Sequence, residues 1–330
     1  MQLSLRLLAS FCMPLAVLLA AVSCNRPAEN TAASGQAAED APMTLHLLLP
    51  ALPDATAGGY VYAEERGLYQ KAGLTVRVSH EAPADAEAPE TILICDALQF
   101  LERIREGEDL VAVLAPFQDS PSCVFVWQDS ALTTGLEKLE GATIHGDTSD
   151  PQWAFLSKRY EMPPLALEKP DPEFEAFSQN STCAVAGDHV HDLARLGTRG
   201  VTTQTLLISD SGFNPYCGLL AVPRPLLESQ PDAIRALVQA SLRGWLGYLS
   251  APQAISPQLA ERNPKLNASE WTAAGVRARR FVLTGAAESG VIGVMTAARW
   301  AKMVHQLEGF AESEPTLPAP GNLFTNEFLQ

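Results

Sequence analysis

The sequence predicts an α/β protein of two lobes, each a β-sheet covered by helices, joined by a hinge that the chain crosses twice. Short apolar runs suited to buried strands alternate with segments of helical periodicity, which is typical of largely parallel sheets with helices on both faces. A late apolar run at residues 218–222 follows a second series of such elements and indicates that the chain returns to the first lobe. At 330 residues the chain is long enough to bury a core in each lobe.

The first lobe is predicted to begin with strands and helices in alternation. Asp96 occupies the N-cap position of a segment in which Leu98, Leu101 and Ile104 recur at helical spacing. Gly73 is predicted to end the helix at residues 60–71. The predicted strands are 43–50, 74–79, 92–95, 110–116 and 123–127, and the predicted helices are 60–71 and the segment after Asp96.

A second series of elements follows residue 128. The turn at residues 146–150 leads to Pro151, which suits the first position of a helix capped by Asp150. The chain after residue 231 is mainly helical in pattern. The predicted strands of this series are 141–145, 182–186 and 205–208.

The predicted lobes are discontinuous in sequence. One lobe would contain residues 43–127 and 216–330, and the other residues 128–215. The two crossings are expected near residues 119–130 and 208–218. Two lobes joined in this way form a cleft that hinge closure can shut around a small ligand.

The first 23 residues have the pattern of a secretory signal. One charge, Arg6, precedes an apolar run and a small-residue end. The segment Ala21-Val22-Ser23-Cys24 resembles the lipobox of bacterial lipoproteins, so we expect a diacylglyceryl group on Cys24. Residues 24–42 are small and polar and are predicted to be a flexible tether to the membrane surface. The alternative is an ordinary signal peptide followed by a chance cysteine, and which membrane would hold the anchor is open.

The charge and the motifs of the chain exclude several functions. Lys+Arg number 23 against 38 Asp+Glu, a net charge of -15 that argues against nucleic acid as a partner. No stretch after residue 23 approaches the roughly 20 apolar residues of a membrane-spanning helix. The motifs G-x-S-x-G, H-E-x-x-H, G-x-G-x-x-G and the Walker loop do not occur. We therefore predict neither an enzyme nor a bound cofactor.

The cysteines and histidines do not form a metal-site pattern. His189 and His191 stand two apart on a predicted helix, where side chains diverge, so no metal is predicted. The cysteines lack CxxC spacing, and two of them stand in strand-like runs, which favours free thiols, although an oxidising compartment permits a disulfide. Four cysteines remain after the signal and the lipidated residue: Cys95, Cys123, Cys183 and Cys217.

Four segments resemble one family of proteins. They are GYVYAEERGLYQKAGLTVRV at residues 59–78, residues 115–144, residues 210–245, and residues 293–300 together with 324–329. In order and spacing they are similar to the periplasmic solute-binding proteins for alkanesulfonates, taurine and thiamine-pyrimidine precursors. The resemblance implies a type II periplasmic-binding-protein-like α/β fold and delivery of a solute to an ABC permease and its ATPase.

The chain departs from the family pattern at two places that bear on the solute. The family usually has a "G.AD" stretch where this chain has Leu93-Ile94-Cys95-Asp96, and Cys183 stands at a usual aspartate. Solute identity in the family follows such positions. The solute is therefore open.

Candidate ligand-binding residues lie in loops at the carboxyl ends of predicted strands, where open α/β sheets bind ligands. Glycines would let the backbone approach the solute, aspartates would accept hydrogen bonds, and aromatic rings would stack. Each residue also has a structural alternative: a turn, a helix cap or core packing. The candidates are Gly58, Gly59, Tyr60, Asp119, Ser120, Asp147, Thr148, Trp153, Asp188, Asn214 and Tyr216.

These loops contain no lysine or arginine. A neutral or amine-bearing, pyrimidine-like heterocycle is therefore favoured, with a sulfonate or taurine next. The sequence predicts an extracytoplasmic, membrane-anchored monomer that captures this solute for an ABC importer. The alternative is a ligand-sensing lipoprotein that signals to a partner protein.

Overall fold

The structure, a computed structural model, describes residues 43–82, 90–285, 290–308 and 317–330. The predicted signal segment, the tether and Cys24 lie outside the described residues. Within the described residues no helix combines the length and apolar character that a membrane span requires.

The first sheet has five strands in the order β2-β1-β3-β10-β4. Strand β1 (Met43–Leu48) runs parallel to β2 (Leu74–Ser79) and to β3 (Glu90–Cys95). Strand β10 (Leu219–Pro223) is inserted antiparallel between β3 and β4 (Leu110–Leu114). The late return of the chain to the first sheet agrees with the apolar run recognised at residues 218–222.

The second sheet also has five strands, in the order β7-β6-β8-β5-β9. Strand β6 (Thr143–His145) runs parallel to β7 (Ala166–Glu168) and to β8 (Ala184–Asp188). Strand β5 (Ser122–Trp127) runs antiparallel to β8 and to β9 (Thr203–Leu207). Both sheets are therefore mixed rather than largely parallel. Strands β5 and β10 each follow a crossing from the other sheet, and each runs antiparallel to the strands beside it.

The boundary between the sheets differs from the predicted one. Residues 123–127 were assigned to the first lobe, but they pair with β8 and β9, so the second sheet begins at Ser122. The first crossing is the short segment 115–121, and the second is 208–218. An apolar strand suits either sheet equally well, and for that reason composition alone could not assign β5.

Local sequence signals place the helix starts correctly. Asp96 caps α3 by accepting a hydrogen bond from the Gln99 N–H, and Asp150 caps α4 by accepting from the Gln152 N–H. The predicted helix 60–71 is divided at Gly67, whose φ of 63° leaves the helical region. The helices are α1 (Gly58–Glu65), α2 (Leu68–Lys71), α3 (Ala97–Arg105), α4 (Pro151–Arg159), α5 (Glu175–Gln179), α6 (Asp192–Thr198), α7 (Arg224–Ser229), α8 (Pro231–Ser250), α9 (Ser256–Arg262), α10 (Ala268–Val282) and α11 (Ala297–Glu308).

The packing of α1 against α8 explains the glycine pair that was predicted to approach a ligand. A Cβ on Gly58 would lie 2.2 Å from a ring carbon of Tyr248, and a Cβ on Gly59 would lie 2.2 Å from a ring carbon of Trp245. The two glycines therefore admit the large rings of α8 into the core of the first lobe. Their role in the structure is helix packing rather than access to a solute.

Candidate functional site

A cavity of about 200 Å³ lies between the two sheets. The first sheet contributes the loop after β1, the end of β3 and the start of α3. The second sheet contributes the start of β5 and Asp188 at the end of β8, while Cys217 and Gly218 come from the second crossing. The cavity thus lies where β1, β3 and β8 end, which is the place where open α/β sheets bind their ligands.

Three carboxylates line this cavity, and each is positioned by a local turn or cap. Asp54 Oδ1 accepts from the N–H of Thr56 at 2.7 Å, and Asp96 Oδ1 accepts from the N–H of Gln99 at 2.8 Å. Asp188 Oδ1 accepts from the Val190 N–H at 2.7 Å. The described residues that line the cavity include no lysine, no arginine and no aromatic residue. The lining therefore offers acceptors for N–H and O–H groups and no positive charge.

Asp188 has cationic neighbours from both lobes, His191 from the second and Arg277 from the first. The His191 Nδ1 lies 3.2 Å from Asp188 Oδ1, and Arg277 of α10 donates through Nε to the Val190 carbonyl at 2.7 Å. Burial raises the pKa of Asp188, and the charge of His191 opposes this increase. Burial would lower the pKa of His191, but Asp188, Asp192 and Asp54 together raise it above its usual value.

Among the groups that shift the pKa of Asp96, none is a cation. Burial raises the pKa of Asp96, hydrogen bonds from the start of α3 oppose the increase, and the charge of Glu102 adds to it. Across the cleft, burial raises the pKa of Asp150 to about 6, and the negative charges of Asp96 and Asp147 contribute. The negative charge of Asp96, at the start of α3, thus disfavours the charge of Asp150, at the start of α4.

The raised pKa of Asp150 predicts a pH-dependent stability. The folded protein takes up a proton near pH 6, above the usual aspartate pKa, so its stability rises as the pH falls toward about 4. Replacing Asp150 by asparagine keeps the helix cap and removes the buried charge. We expect the variant to be more stable than the wild type by about 1–3 kcal/mol at pH 8, and this gain to disappear near pH 4.

Urea unfolding of both proteins from about pH 4 to 8 measures this difference. The exposed Asp232, at the start of α8, replaced by asparagine serves as the control for loss of one negative charge at a helix start. Equal free energies of unfolding of Asp150→Asn and the wild type at pH 8 would show that the charge of Asp150 does not destabilise the folded protein.

The aromatic candidates do not reach the cavity. Tyr60 is fully buried, and its hydroxyl donates to the Gly218 carbonyl at 2.7 Å. Trp153 packs in the core of the second sheet and donates through Nε1 to the Asp147 carbonyl at 2.8 Å. Tyr216 is buried, and the Arg299 guanidinium carbon lies 3.9 Å from its ring centroid. These rings fill the interior of the lobes because they are the largest apolar surfaces available there.

The polar candidates fall into three places. Asp188 lines the cavity, and its binding of a solute stays a prediction. Asp147 and Thr148 lie in an exposed turn, where Asp147 Oδ1 accepts from the N–H of Ser149 at 2.9 Å. Asp119 and Asn214 bond to one another at the hinge, with 2.7 Å between Asn214 Nδ2 and Asp119 Oδ1.

Sequence reasoning missed the other acidic residues of the cavity. Asp54 follows β1 and Asp96 follows β3, so both lie at the strand carboxyl ends where candidates were sought, but neither was chosen as a ligand-binding residue. Asp96 had been given the role of a helix cap, which it also performs. One residue can therefore fill a structural role with one oxygen and still line the cavity.

The four cysteines in the described part of the chain, Cys95, Cys123, Cys183 and Cys217, lie buried as free thiols. Cys95 and Cys217 line the cavity, and burial raises the pKa of both thiols. Such thiols are poor nucleophiles. Within the described residues, no group of three or more His, Cys, Asp or Glu side chains is arranged to hold a metal ion.

Comparisons with known proteins agree with the resemblance noted in the sequence. The family model described as NMT1/THI5 like matches residues 55–255. The riboflavin-binding protein RibY of Chloroflexus aurantiacus is 23% identical over 260 residues, which cover 72% of this chain and 73% of that protein.

Solved structures show the shared fold. The periplasmic aliphatic sulphonate binding protein SsuA from Escherichia coli matches with a TM-score of 0.66 at 16% identity, covering 88% of this chain and 100% of that one. The desulfurization enzyme DSZB matches with a TM-score of 0.58 at 14% identity, covering 87% of this chain and 97% of that one. At these identities the likeness concerns the fold alone.

The predicted fold class is confirmed by two mixed α/β sheets, two crossings and the likeness to SsuA. The family model spans more than half of the chain. The chain belongs to the NMT1/THI5-like family and has the fold of the periplasmic solute-binding proteins.

Proposed function

We propose that this chain is an extracytoplasmic solute-binding lipoprotein of an ABC importer. It captures a small organic solute between its two sheets and delivers it to a permease, whose ATPase does the chemical work. The observation that carries the proposal is the cavity itself, which residues of both sheets form at the ends of their strands. Rotation of one sheet relative to the other would open and close this cavity.

The lining favours a donor-rich solute over an oxyanion. Asp54, Asp96 and Asp188 present carboxylate oxygens, which accept hydrogen bonds from amino, ring N–H and hydroxyl groups. A sulfonate would face three negative charges with no lysine or arginine among the described lining residues. Of the two solute classes left open by the sequence, the charge of the cavity supports the neutral or amine-bearing heterocycle.

The shape of the lining also bears on how a heterocycle would be held. None of the described lining residues is aromatic, so a ring would be recognised by hydrogen bonds at its edge rather than by stacking. Riboflavin, which RibY is named for binding, is a heterocycle with several hydroxyl donors. Flavins therefore belong with aminopyrimidines among the solutes to be tested.

The lipid anchor would keep the binding protein close to its permease. The apolar run before Cys24 and the polar residues after it fit such an anchor. Mass spectrometry of the mature N-terminus would detect the acylated cysteine. A mature chain that begins at another residue, without acyl groups, would contradict this part of the proposal.

The fold alone does not separate a binding protein from an enzyme, because DSZB shares it. The chemistry of the cavity supports binding. Its two cysteines, Cys95 and Cys217, have thiols whose pKa values burial raises, so they are poorly suited to attack a substrate.

A solute panel tests the proposed function. It contains 4-amino-5-hydroxymethyl-2-methylpyrimidine, the matching 5-aminomethyl compound, riboflavin, taurine and an alkanesulfonate. We expect a pyrimidine or the flavin to raise the unfolding temperature and to give a one-to-one isotherm by titration calorimetry, because bound solute stabilises only the folded state. We expect no response to taurine or the sulfonate. Tight binding of either sulfonate, with no response to the heterocycles, would overturn the assignment of solute class.

Transport and sensing are distinguished in cells. Loss of the gene should abolish uptake of the labelled solute if the chain serves an importer. Unchanged uptake together with a lost transcriptional response to the solute would instead favour the sensing alternative.

A further inference from the structure

The two crossings between the sheets are joined by an antiparallel backbone bridge between Phe117 and Cys217 and, nearer the second sheet, by one side chain. Asn214, on the second crossing, accepts through Oδ1 from the Ser120 N–H at 2.8 Å. Its Nδ2 donates to Asp119 Oδ1 at 2.7 Å. One amide thus joins the second crossing to two neighbouring residues of the first. We call the two hydrogen bonds of Asn214, to Asp119 and Ser120, the clasp.

Up to these residues, both crossings also form hydrogen bonds with helices that cover the first sheet. The N–H groups of Gln118 and Asp119 donate to the carbonyl of Phe281 at the end of α10, at 2.8 and 3.0 Å. The carbonyl of Asn214 accepts from Arg299 Nε and Nη2 of α11 at 3.2 and 2.9 Å.

The neighbouring residues belong to the second sheet. The Pro121 carbonyl accepts from the N–H of His189, which follows β8, at 3.0 Å. Phe213 packs in the core of the second sheet, with its ring centroid 5.2 Å from that of Phe155. The Gly212 carbonyl still accepts from Gln306 of α11 at 3.1 Å. The change of attachment therefore occurs at Ser120 on one crossing and over residues 212–214 on the other.

We propose that Asn214 is a positioning residue on the hinge axis, and that its bonds to Asp119 and Ser120 make the two crossings turn as one. The axis passes through Ser120 and residues 212–214. This inference rests on the proposed function, because it assigns the clasp a role in closing the cavity on a solute. Without the clasp the crossings would stay joined at Phe117 and Cys217 but would bend separately beyond that bridge, and the carboxylates of the two sheets would face each other in a wider range of orientations.

Three variants test the clasp. Asn214→Ala removes both bonds. Asn214→Asp keeps the acceptor for the Ser120 N–H but replaces the donor to Asp119 with a second negative charge. The double variant Asp119→Asn with Asn214→Asp restores a donor and an acceptor in exchanged positions, so it repairs the clasp without restoring the original residues.

The first measurement needs no solute. Small-angle scattering of the ligand-free protein reports the spread of sheet orientations, and hydrogen exchange reports protection of the Ser120 amide. We expect Asn214→Ala and Asn214→Asp to broaden the distribution of molecular dimensions, and Asn214→Ala to lose protection at Ser120 by about 10-fold or more, as for a lost hydrogen bond. The double variant should return to wild-type behaviour. Wild-type scattering and protection in both single variants would overturn the proposal.

The second measurement uses the tightest compound of the solute panel. We expect Asn214→Ala to weaken affinity about 3- to 10-fold and Asn214→Asp about 10-fold, mainly through faster dissociation, with recovery in the double variant. Because Asn214 does not line the cavity, a loss without any change in ligand-free scattering would contradict a hinge role. Failure of every compound to bind the wild type would count against the proposed function, and the ligand-free measurement would still decide the clasp.

Discussion

Replacing Asp96 by asparagine is expected to weaken binding of the donor-rich solute by about 10- to 100-fold, because a hydrogen bond to a charged acceptor contributes about 1.5–3 kcal/mol. Asp96 lines the cavity at the end of β3, and no cation among the described residues opposes the increase in its pKa. A solute N–H or ammonium group would supply a partner for its charge. The substitution keeps the size of the side chain, removes its charge and replaces one acceptor oxygen by an NH2 donor.

The fold should survive this change. Asparagine caps helices about as well as aspartate, so α3 keeps its first hydrogen bond, from the Gln99 N–H. We expect the free energy of unfolding to stay within about 0.5 kcal/mol of the wild type, or to rise because a buried charge is removed. Titration calorimetry and urea unfolding measure the two quantities, with the exposed Asp232→Asn as the control for loss of one negative charge. Unchanged solute affinity in Asp96→Asn would remove this carboxylate from the binding site.

Replacing Trp245 by alanine is expected to lower the free energy of unfolding by about 3–5 kcal/mol, the usual cost of removing a large ring from a core. Trp245 is fully buried on α8, and its ring contacts those of Tyr60, Phe117 and Tyr248 at centroid distances of 5.6, 5.7 and 6.0 Å. It also covers Gly59, whose missing side chain gives the ring its space. The substitution leaves a cavity with walls on two helices and the first crossing.

The adjacent residue provides a matched control. Leu246 lies on the same helix and is 58% exposed, so Leu246→Ala should change the free energy of unfolding by less than about 0.5 kcal/mol. Urea denaturation of the two variants and the wild type gives the comparison. A loss below about 1 kcal/mol in Trp245→Ala would mean that α1 and α8 are not packed through these rings.

The helices and strands could be predicted from the sequence because local chemistry specifies them. Helical spacing of apolar residues predicted α3 and α8, and the caps Asp96 and Asp150 marked helix starts that the structure confirms. Strand direction could not be predicted, because β5 and β10 are apolar on both faces and would suit parallel or antiparallel neighbours. Pairing of residue 123 with 187 depends on distant contacts, and these decide to which sheet β5 belongs.

The candidate site was only partly predictable for a related reason. Asp188 was predicted to bind the solute, and it lines the cavity. The rings of Tyr60, Trp153 and Tyr216 were chosen for their ability to stack, yet the interior of each lobe needs the same large apolar surfaces. Asp119 was chosen as an acceptor for a solute amine, and its acceptor is used by Asn214 at the hinge. Residue type indicates what a side chain can bind, whereas the topology decides which partner reaches it first.

A crystal structure of the protein with the tightest compound of the solute panel tests the central claim most directly. The account predicts the compound between the two sheets, with N–H or O–H groups of the solute within hydrogen-bond distance of Asp96 and of Asp54 or Asp188. A compound bound on the outer surface of either sheet, or held in the cavity by none of these carboxylates, would contradict it.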